Sequence, residues 1–286
     1  MGLVSSLSNA VSGLRTSQDS ISILSRNIAN SGTPGYHRQS LNIVDHSSIN
    51  STYARTAGGE RAFNQSLQTY YNRQVSDTSM SNVTGNYLSK LQGYLGKPGD
   101  AGSLDTMFGS FRNSLQALAT SPDDYSTRAN VVAEAQAMAR QLNSLSTSIQ
   151  QLRQETETRI SNDVSEVNAM LISLNEVNNR MLDLGMTDTA RAQLYDQRDR
   201  LVASVAEVID VQAEYRADGT VALMTRSGVG LLDNGFSTFK FTTAGALSAT
   251  SQTNVDSSQS KVGKLTLTTP SGLTIDLVQQ GVLQGG

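Results

Sequence analysis

From about Thr127 to Leu184 apolar or small residues recur at alternating spacings of four and three: Val131, Ala135, Met138, Leu142, Leu145, Ile149 and Leu152. That rhythm is the signature of a helix packed along another helix. At 1.5 Å per residue such a helix is on the order of 80 Å long, wider than a compact domain. Thr156, Ile160 and Val164 follow at spacings of four, a stutter that locally unwinds a coiled coil, before the alternation resumes at Val167, Leu171 and Leu174. Gly185 is the expected stop. The segment predicts a rod rather than a globule.

A second repeat stands at the N-terminus. Leu7, Leu14, Ile21 and Ile28 fall every seven residues, with Leu3, Ala10 and Leu24 at the companion position and Ser17 as its polar member. A seam of this kind needs a partner, either neighbouring subunits or a helix of a closed bundle within the same chain. Its many serines lower its intrinsic helicity, and alone it would be marginal. It ends in Asn27-Ile28-Ala29-Asn30-Ser31-Gly32-Thr33-Pro34-Gly35-Tyr36. Asn30 or Gly32 is expected to leave the helix in a left-handed conformation. Pro34 ends it, Thr33 is pushed to extended geometry, and Pro34-Gly35 reads as a turn.

Residues 36–60 read as polar and irregular, with short strands possible at Gln39–Val44. A helix is expected from about Ala62 to Leu95, weakened between Ser76 and Asn82 and at Gly85, with Tyr70, Tyr71, Tyr87 and Tyr94 packed on its apolar side. Residues 96–102 form a Gly/Pro loop, and Ser103–Ala119 is an amphipathic helix. Thr187 or Asp188 caps a further helix whose run Asp196-Gln197-Arg198-Asp199-Arg200 reads as a charged face with an Asp196–Arg200 pair. After Asp210 the period changes. Val211–Arg216 and Thr220–Thr225 flank the hairpin signal Asp218-Gly219. Further strands are expected at Val229–Leu232, Thr238–Thr242, Lys264–Thr268 and Leu273–Val278, with a polar loop over 248–261.

The composition is 37% hydrophobic and 16% charged in 286 residues, with a net charge of −3, which disfavours nucleic acid and acidic membranes as partners. There is no Cys, so a disulfide framework and thiolate metal sites are excluded. No stretch has the length and apolarity of a membrane span, and the N-terminus lacks the basic and apolar regions of a cleavable signal peptide. His37 and His46, the two histidines, read as solvated loop residues. Gly228-Val229-Gly230 lacks the third glycine of a dinucleotide loop, and Glu155-Thr156-Glu157 reads as a solvated helix face. No cofactor, metal or small-molecule substrate is expected.

Leu24 to Tyr36, with its Asn-Ile-Ala-Asn core followed by Thr33, Gly35 and Tyr36, resembles the N-terminal signature of the axial proteins of the bacterial flagellum. Leu115 to Asp124 with Arg128, Leu194 to Val202, Asp218 to Val221 and Gly230 to Leu232 are similar to the hook-associated junction proteins of that superfamily. This resemblance implies a non-enzymatic structural subunit between hook and filament. It also implies export through the flagellar type III apparatus with a dedicated chaperone, and a final place outside the cell. The expected partners are further copies of the chain, the hook protein and the second junction protein. Members of the family return through a C-terminal helix that pairs with the N-terminal one, and the chain therefore reads as the N-terminal portion of a longer protein.

The expected fold is mainly α with a β-rich C-terminal part: an axial helix and signature loop over 1–45, an elongated helical rod over 46–210, and a small β domain over 211–286. The expected assembly seam is Leu7, Leu14, Ile21, Leu24 and Ile28, and the signature residues are Asn27, Ala29, Asn30, Thr33, Pro34, Gly35 and Tyr36. The seam helix is expected to order only when neighbours cover it. Two other functions fit parts of the pattern. One is another rod, hook or junction component. The other is a wall-cleaving hydrolase with Asp233 and Asp276 as its carboxylates.

Overall fold

The structure, a computed structural model, describes residues 3–48, 51–254 and 259–277. Its helices are α1 (Leu3–Ala29), α2 (Gln65–Leu95), α3 (Leu104–Thr120), α4 (Tyr125–Met181) and α5 (Asp188–Val208). A ribbon of β1 (Gln39–Ser48) and β2 (Ser51–Arg61) lies between α1 and α2. After α5 come β3 (Val211–Tyr215), β4 (Val221–Thr225), β5 (Gly230–Asp233), β6 (Gly235–Phe236), β7 (Thr238–Thr242), β8 (Lys264–Thr268) and β9 (Thr274–Asp276).

The long periodic segment is one 57-residue helix, α4, about 85 Å in length. Asp124 caps it by accepting from the Ser126 amide at 2.8 Å. It ends at Met181, short of Gly185, with Leu182 in right-handed geometry. α3 packs along its first half, where Val131, Ala135, Met138, Leu145 and Ile149 are half-buried and Leu142 is exposed. At the stutter α4 changes partner: Thr156 Oγ1 donates to Tyr87 Oη of α2 at 3.1 Å. Beyond it, Val167, Leu171 and Leu174 enter a core with Val202, Val205 and Ala206 of α5.

That core continues into the β-rich part, through Val221, Leu223, Leu231, Leu232, Phe239, Leu267 and Leu277. The β-rich C-terminal part follows the rod as expected, and its strands share one core with α4 and α5. They make two antiparallel sheets, ordered β3-β4-β5-β6 and β7-β8-β9. α4 holds them by polar side chains that finish the strands' hydrogen bonding. Asn178 donates to the Val221 carbonyl at 2.8 Å and accepts its amide at 3.0 Å. Asn168 does the same for Phe239, both at 2.8 Å. Glu157, expected on a solvated face, is buried and accepts the amides of Ala244 at 3.1 Å and Gly263 at 2.6 Å. Arg153 donates to the carbonyls of Ser248 and Ser251. Its neighbour Glu155 does lie at the surface, paired with Lys90 at 2.6 Å.

Further expectations change. Residues 36–60 are largely ordered as the antiparallel β1–β2 ribbon, with a register shift between Leu41 and Ile43. β1 runs across the boundary expected at residue 45. The polar composition concealed this ribbon because one side of it is covered by a polar helix face. α2 is continuous through 76–82, and its buried residues are the polar Asn72 and Ser76, whereas Leu67, Tyr70, Tyr71 and Leu88 are exposed. The tyrosines thus divide, with Tyr87 and Tyr94 half-buried and Tyr70 and Tyr71 outward. Of the last expected strand, β9 covers 274–276 and Val278 lies outside the described residues. Among the described residues no helix is long and apolar enough to cross a membrane.

Candidate functional site

α1 is amphipathic, and it docks the wrong way round for a core helix. Its heptad residues Leu7, Leu14, Ile21, Leu24 and Ile28 are 57–66% exposed. The side it turns to the ribbon is made of Ser12, Thr16, Ile23 and Asn27, also spaced for one helical face. Ser12 Oγ donates to the Ala54 carbonyl of β2. Asp19 accepts from Thr56 Oγ1 at 2.9 Å. Thr16 and Ser20 return their hydroxyls to carbonyls one turn earlier, at 3.0 and 2.9 Å, so both hydroxyls are satisfied within α1. Within the described chain the apolar seam has no helix against it.

The signature residues after α1 build a fixed turn. Asn27 is its centre: Oδ1 accepts from Tyr36 Oη at 2.8 Å and from the Gln39 amide at 3.0 Å, and Nδ2 donates to the Gln39 carbonyl at 2.8 Å. The Asn30 amide group donates to the Arg26 carbonyl at 3.0 Å, and the Thr33 hydroxyl reaches Asn30 Oδ1 at 3.4 Å. Backbone bonds Thr33 N–Asn30 O (2.9 Å) and Tyr36 N–Thr33 O (3.2 Å) step the chain round. The left-handed residue is neither Asn30 nor Gly32 but Gly35, at φ +72°. A Cβ there would collide with the Arg200 side chain at 2.4 Å. Ala29, Thr33, Pro34 and Gly35 face solvent. Tyr36 is half-buried, and its phenol is shifted above the ordinary tyrosine value by burial first and then by Asp196, with Arg26 opposing.

Beside this turn lies a buried ionic network that local reading missed. Asp196, Arg198 and Asp199, expected on a charged outer face, are all buried. Asp196 pairs with Arg61 of β2 at 2.8 Å, not with Arg200. Arg61 also reaches Asp199 at 2.6 Å. Asp199 Oδ1 accepts from Arg198 Nε and Nη2 at 3.0 and 2.8 Å, and Arg198 Nη1 donates to the Gly219 carbonyl at 2.6 Å. The two arginines balance the two aspartates, as burial of the set requires. His37, expected to be solvated, belongs to the network: Nδ1 is 3.2 Å from Asp196 Oδ1, and the ring packs edge-on to Phe63. The His46 side chain falls outside the described residues. Arg61 and Arg198 both lie over the Phe63 and Tyr195 rings, and Arg198 also over Tyr215. Desolvation, with the charge of Asp199 second, pushes the Tyr215 phenol up to about 12.

This arrangement positions α1, the signature turn and α5 relative to one another. Among the described residues no group of three His, Asp or Glu side chains converges to hold a metal ion. Asp233 of β5 is exposed and paired with Arg216 at 2.7 Å, on a different sheet from Asp276 of β9.

Residues 88–286 match the family model described as the flagellar hook-associated protein FlgK helical domain. Flagellar hook-associated protein 1 of Bacillus subtilis (strain 168) is 28% identical over 235 residues, covering 78% of this chain and 46% of that protein. Its namesake in Escherichia coli (strain K12) is 25% identical over 240 residues, covering 79% of this chain and 42% of the relative. The chain thus spans less than half the length of the curated relatives it matches. The solved structure of the flagellar hook junction protein FlgK from Burkholderia pseudomallei aligns with a TM-score of 0.56 at 19% identity, covering 77% of this chain and 38% of that one, which shows a shared fold. With its long helix, docked sheets and C-terminal two thirds matched to that helical domain, the chain belongs to the FlgK family of flagellar hook-associated proteins.

Proposed function

We propose that this chain is the N-terminal portion of a structural subunit that joins the flagellar hook to the filament, assembled outside the cell after type III export. The observation that carries the reading is the orientation of α1. Its polar face is used up on the ribbon, and Leu7, Leu14, Ile21, Leu24 and Ile28 are left as a continuous apolar seam. Burying each such side chain is worth about 1.5–3 kcal/mol, a strong incentive for a helix from a neighbouring segment or subunit to cover the row. Self-association, the hook protein on one side and the second junction protein on the other supply such partners. An export chaperone covers the unassembled subunit earlier. Family membership favours a structural subunit over an enzyme, and over another axial component.

The test uses the full-length protein in a motile bacterium lacking its own copy. Leu14→Asp or Ile21→Asp is expected to abolish incorporation into the junction and swimming, while the purified variant keeps the helical signal of α4. Normal motility from either variant would refute the assembly seam.

A further inference from the structure

The N-terminal unit, α1 with the β1–β2 ribbon, meets the rest of the molecule in a restricted way. Its described residues are joined to the remainder covalently by the short connector 62–64. Four of its side-chain bonds lead outward to one helix, α5: Arg26 to Thr189 at 3.3 Å, His37 to Asp196 at 3.2 Å, and Arg61 to Asp196 and Asp199 at 2.8 and 2.6 Å. Thr189, Asp196, Asp199 and Arg200 share one face of α5.

This junction is built unlike the core of the protein. Neither buried apolar cluster contains a residue from α1 or the ribbon. The contact is ionic and aromatic, and it encloses a cleft of about 270 Å³ lined by Asp19, Arg26, Gly58, Glu60, Arg61 and Asp188 among others. Arg26 Nε is buried there with no hydrogen-bond partner among the described residues. Close-packed cores resist relative motion, whereas polar interfaces between units of one chain permit it. The connector carries Phe63, whose ring touches His37 at 5.5 Å and Tyr215 at 5.3 Å, with the Arg61 guanidinium 4.5 Å from its centroid. A ring at the covalent link and a guanidinium bridging two carboxylates beside it are the parts of a pivot and a latch.

We propose that Arg61 latches the α1–ribbon arm onto α5, and that the arm swings as a folded body about 62–64 when the Arg61–Asp196/Asp199 pairs open. Arg61 is a positioning residue: it fixes the angle at which the apolar seam is presented. The geometry stands whether or not the seam serves a hook–filament junction. Opening leaves the ribbon's own ladder and the α1–ribbon contacts intact, because none of them involves α5.

The chain has no cysteine, so paired spin labels at Gln18→Cys on α1 and Asn179→Cys on α4 report the arm angle without background. Both positions are exposed. Labelled protein is diluted into unlabelled chain to suppress contacts between copies. A single narrow distance distribution is expected for the parent. Arg61→Ala should broaden and shift it, and Asp199→Asn should do so to a smaller degree, with amide protection of the ribbon retained in both. An unchanged distribution in Arg61→Ala would overturn the latch. Broadening accompanied by loss of ribbon protection would overturn it too, because Arg61 would then be holding the arm's fold and not its angle.

Discussion

Asn27 and Tyr36 are joined side chain to side chain, Oη to Oδ1 at 2.8 Å, across the turn that separates α1 from the ribbon. The same Asn27 amide group brackets Gln39 at the first residue of β1. One side chain therefore sets where the helix ends, how the loop closes and where the strand begins.

Asn27→Ala removes three hydrogen bonds from a partly buried turn and is expected to cost about 1–3 kcal/mol locally. Asn27→Asp keeps both accepting bonds and sets a carboxylate against the Gln39 carbonyl, so it should fall between. Hydrogen exchange at the Gln39 amide is the readout. Protection at that amide equal to the parent's in Asn27→Ala would contradict the bracket.

The α4–sheet joint is tested at Asn178. It is buried, and its amide group completes both backbone bonds of Val221. Asn178→Ala strands two buried backbone groups and should destabilise by about 2–4 kcal/mol. Asn168 performs the same service for Phe239 from a half-buried position, where water can replace it, so Asn168→Ala should cost less. Urea midpoints at constant slope measure the difference. Equal losses would mean that burial does not govern the two clamps.

These joints explain what the sequence disclosed and what it withheld. The rod was legible because Val131 to Leu174 write its period in adjacent turns of one helix. Likewise, the Asp218-Gly219 hairpin carries its own turn chemistry, with Asp218 Oδ1 accepting from the Thr220 amide at 2.9 Å and hydroxyl at 2.7 Å. The Asp196–Asp199 network was not legible. Its counter-charge Arg61 is 135 residues away from Asp196, and the local pattern offered Arg200 instead, whose side chain packs over Gly35. Asn178 shows the same limit within a single helix. Nothing in the run from Leu171 to Met181 distinguishes an amide facing solvent from one facing a strand edge.

Alkaline pH gives a separate handle through Tyr215. Its phenol is held up at about 12, mainly by burial and then by Asp199, while the Asn72 hydrogen bond and the nearby arginines pull the other way. A group whose folded value lies above its unfolded one, near 10 for tyrosine, contributes stability that is complete below pH 10. That contribution is lost as the pH climbs toward 12. Absorbance titration of the phenolate band should show a late step, and Tyr215→Phe should remove it. Tyr36, also shifted upward, contributes to late titration in both proteins, so the difference spectrum isolates Tyr215. A difference step centred at the ordinary tyrosine value would mean that the ring is solvated and the network open.

The sharpest contrast lies between two neighbours on α1. Ile23 is 8% exposed, facing the cleft between α1, the ribbon and α5, whereas Leu24 is 57% exposed on the seam. In the isolated chain Ile23→Ala should cost about 2 kcal/mol in the docking of α1. Leu24→Gln, a surface change in that state, should stay within about 0.5 kcal/mol of the parent. In the assembled state the order inverts. Leu24→Gln places a polar group in the middle of the covered seam and should block incorporation, whereas Ile23→Ala weakens assembly only as far as it loosens α1 from the ribbon. Thermal melts of the monomer, set beside incorporation of the full-length variants, test both halves. If Leu24→Gln destabilised the monomer as much as Ile23→Ala, the seam would be satisfied within the chain and would not be a surface awaiting a partner.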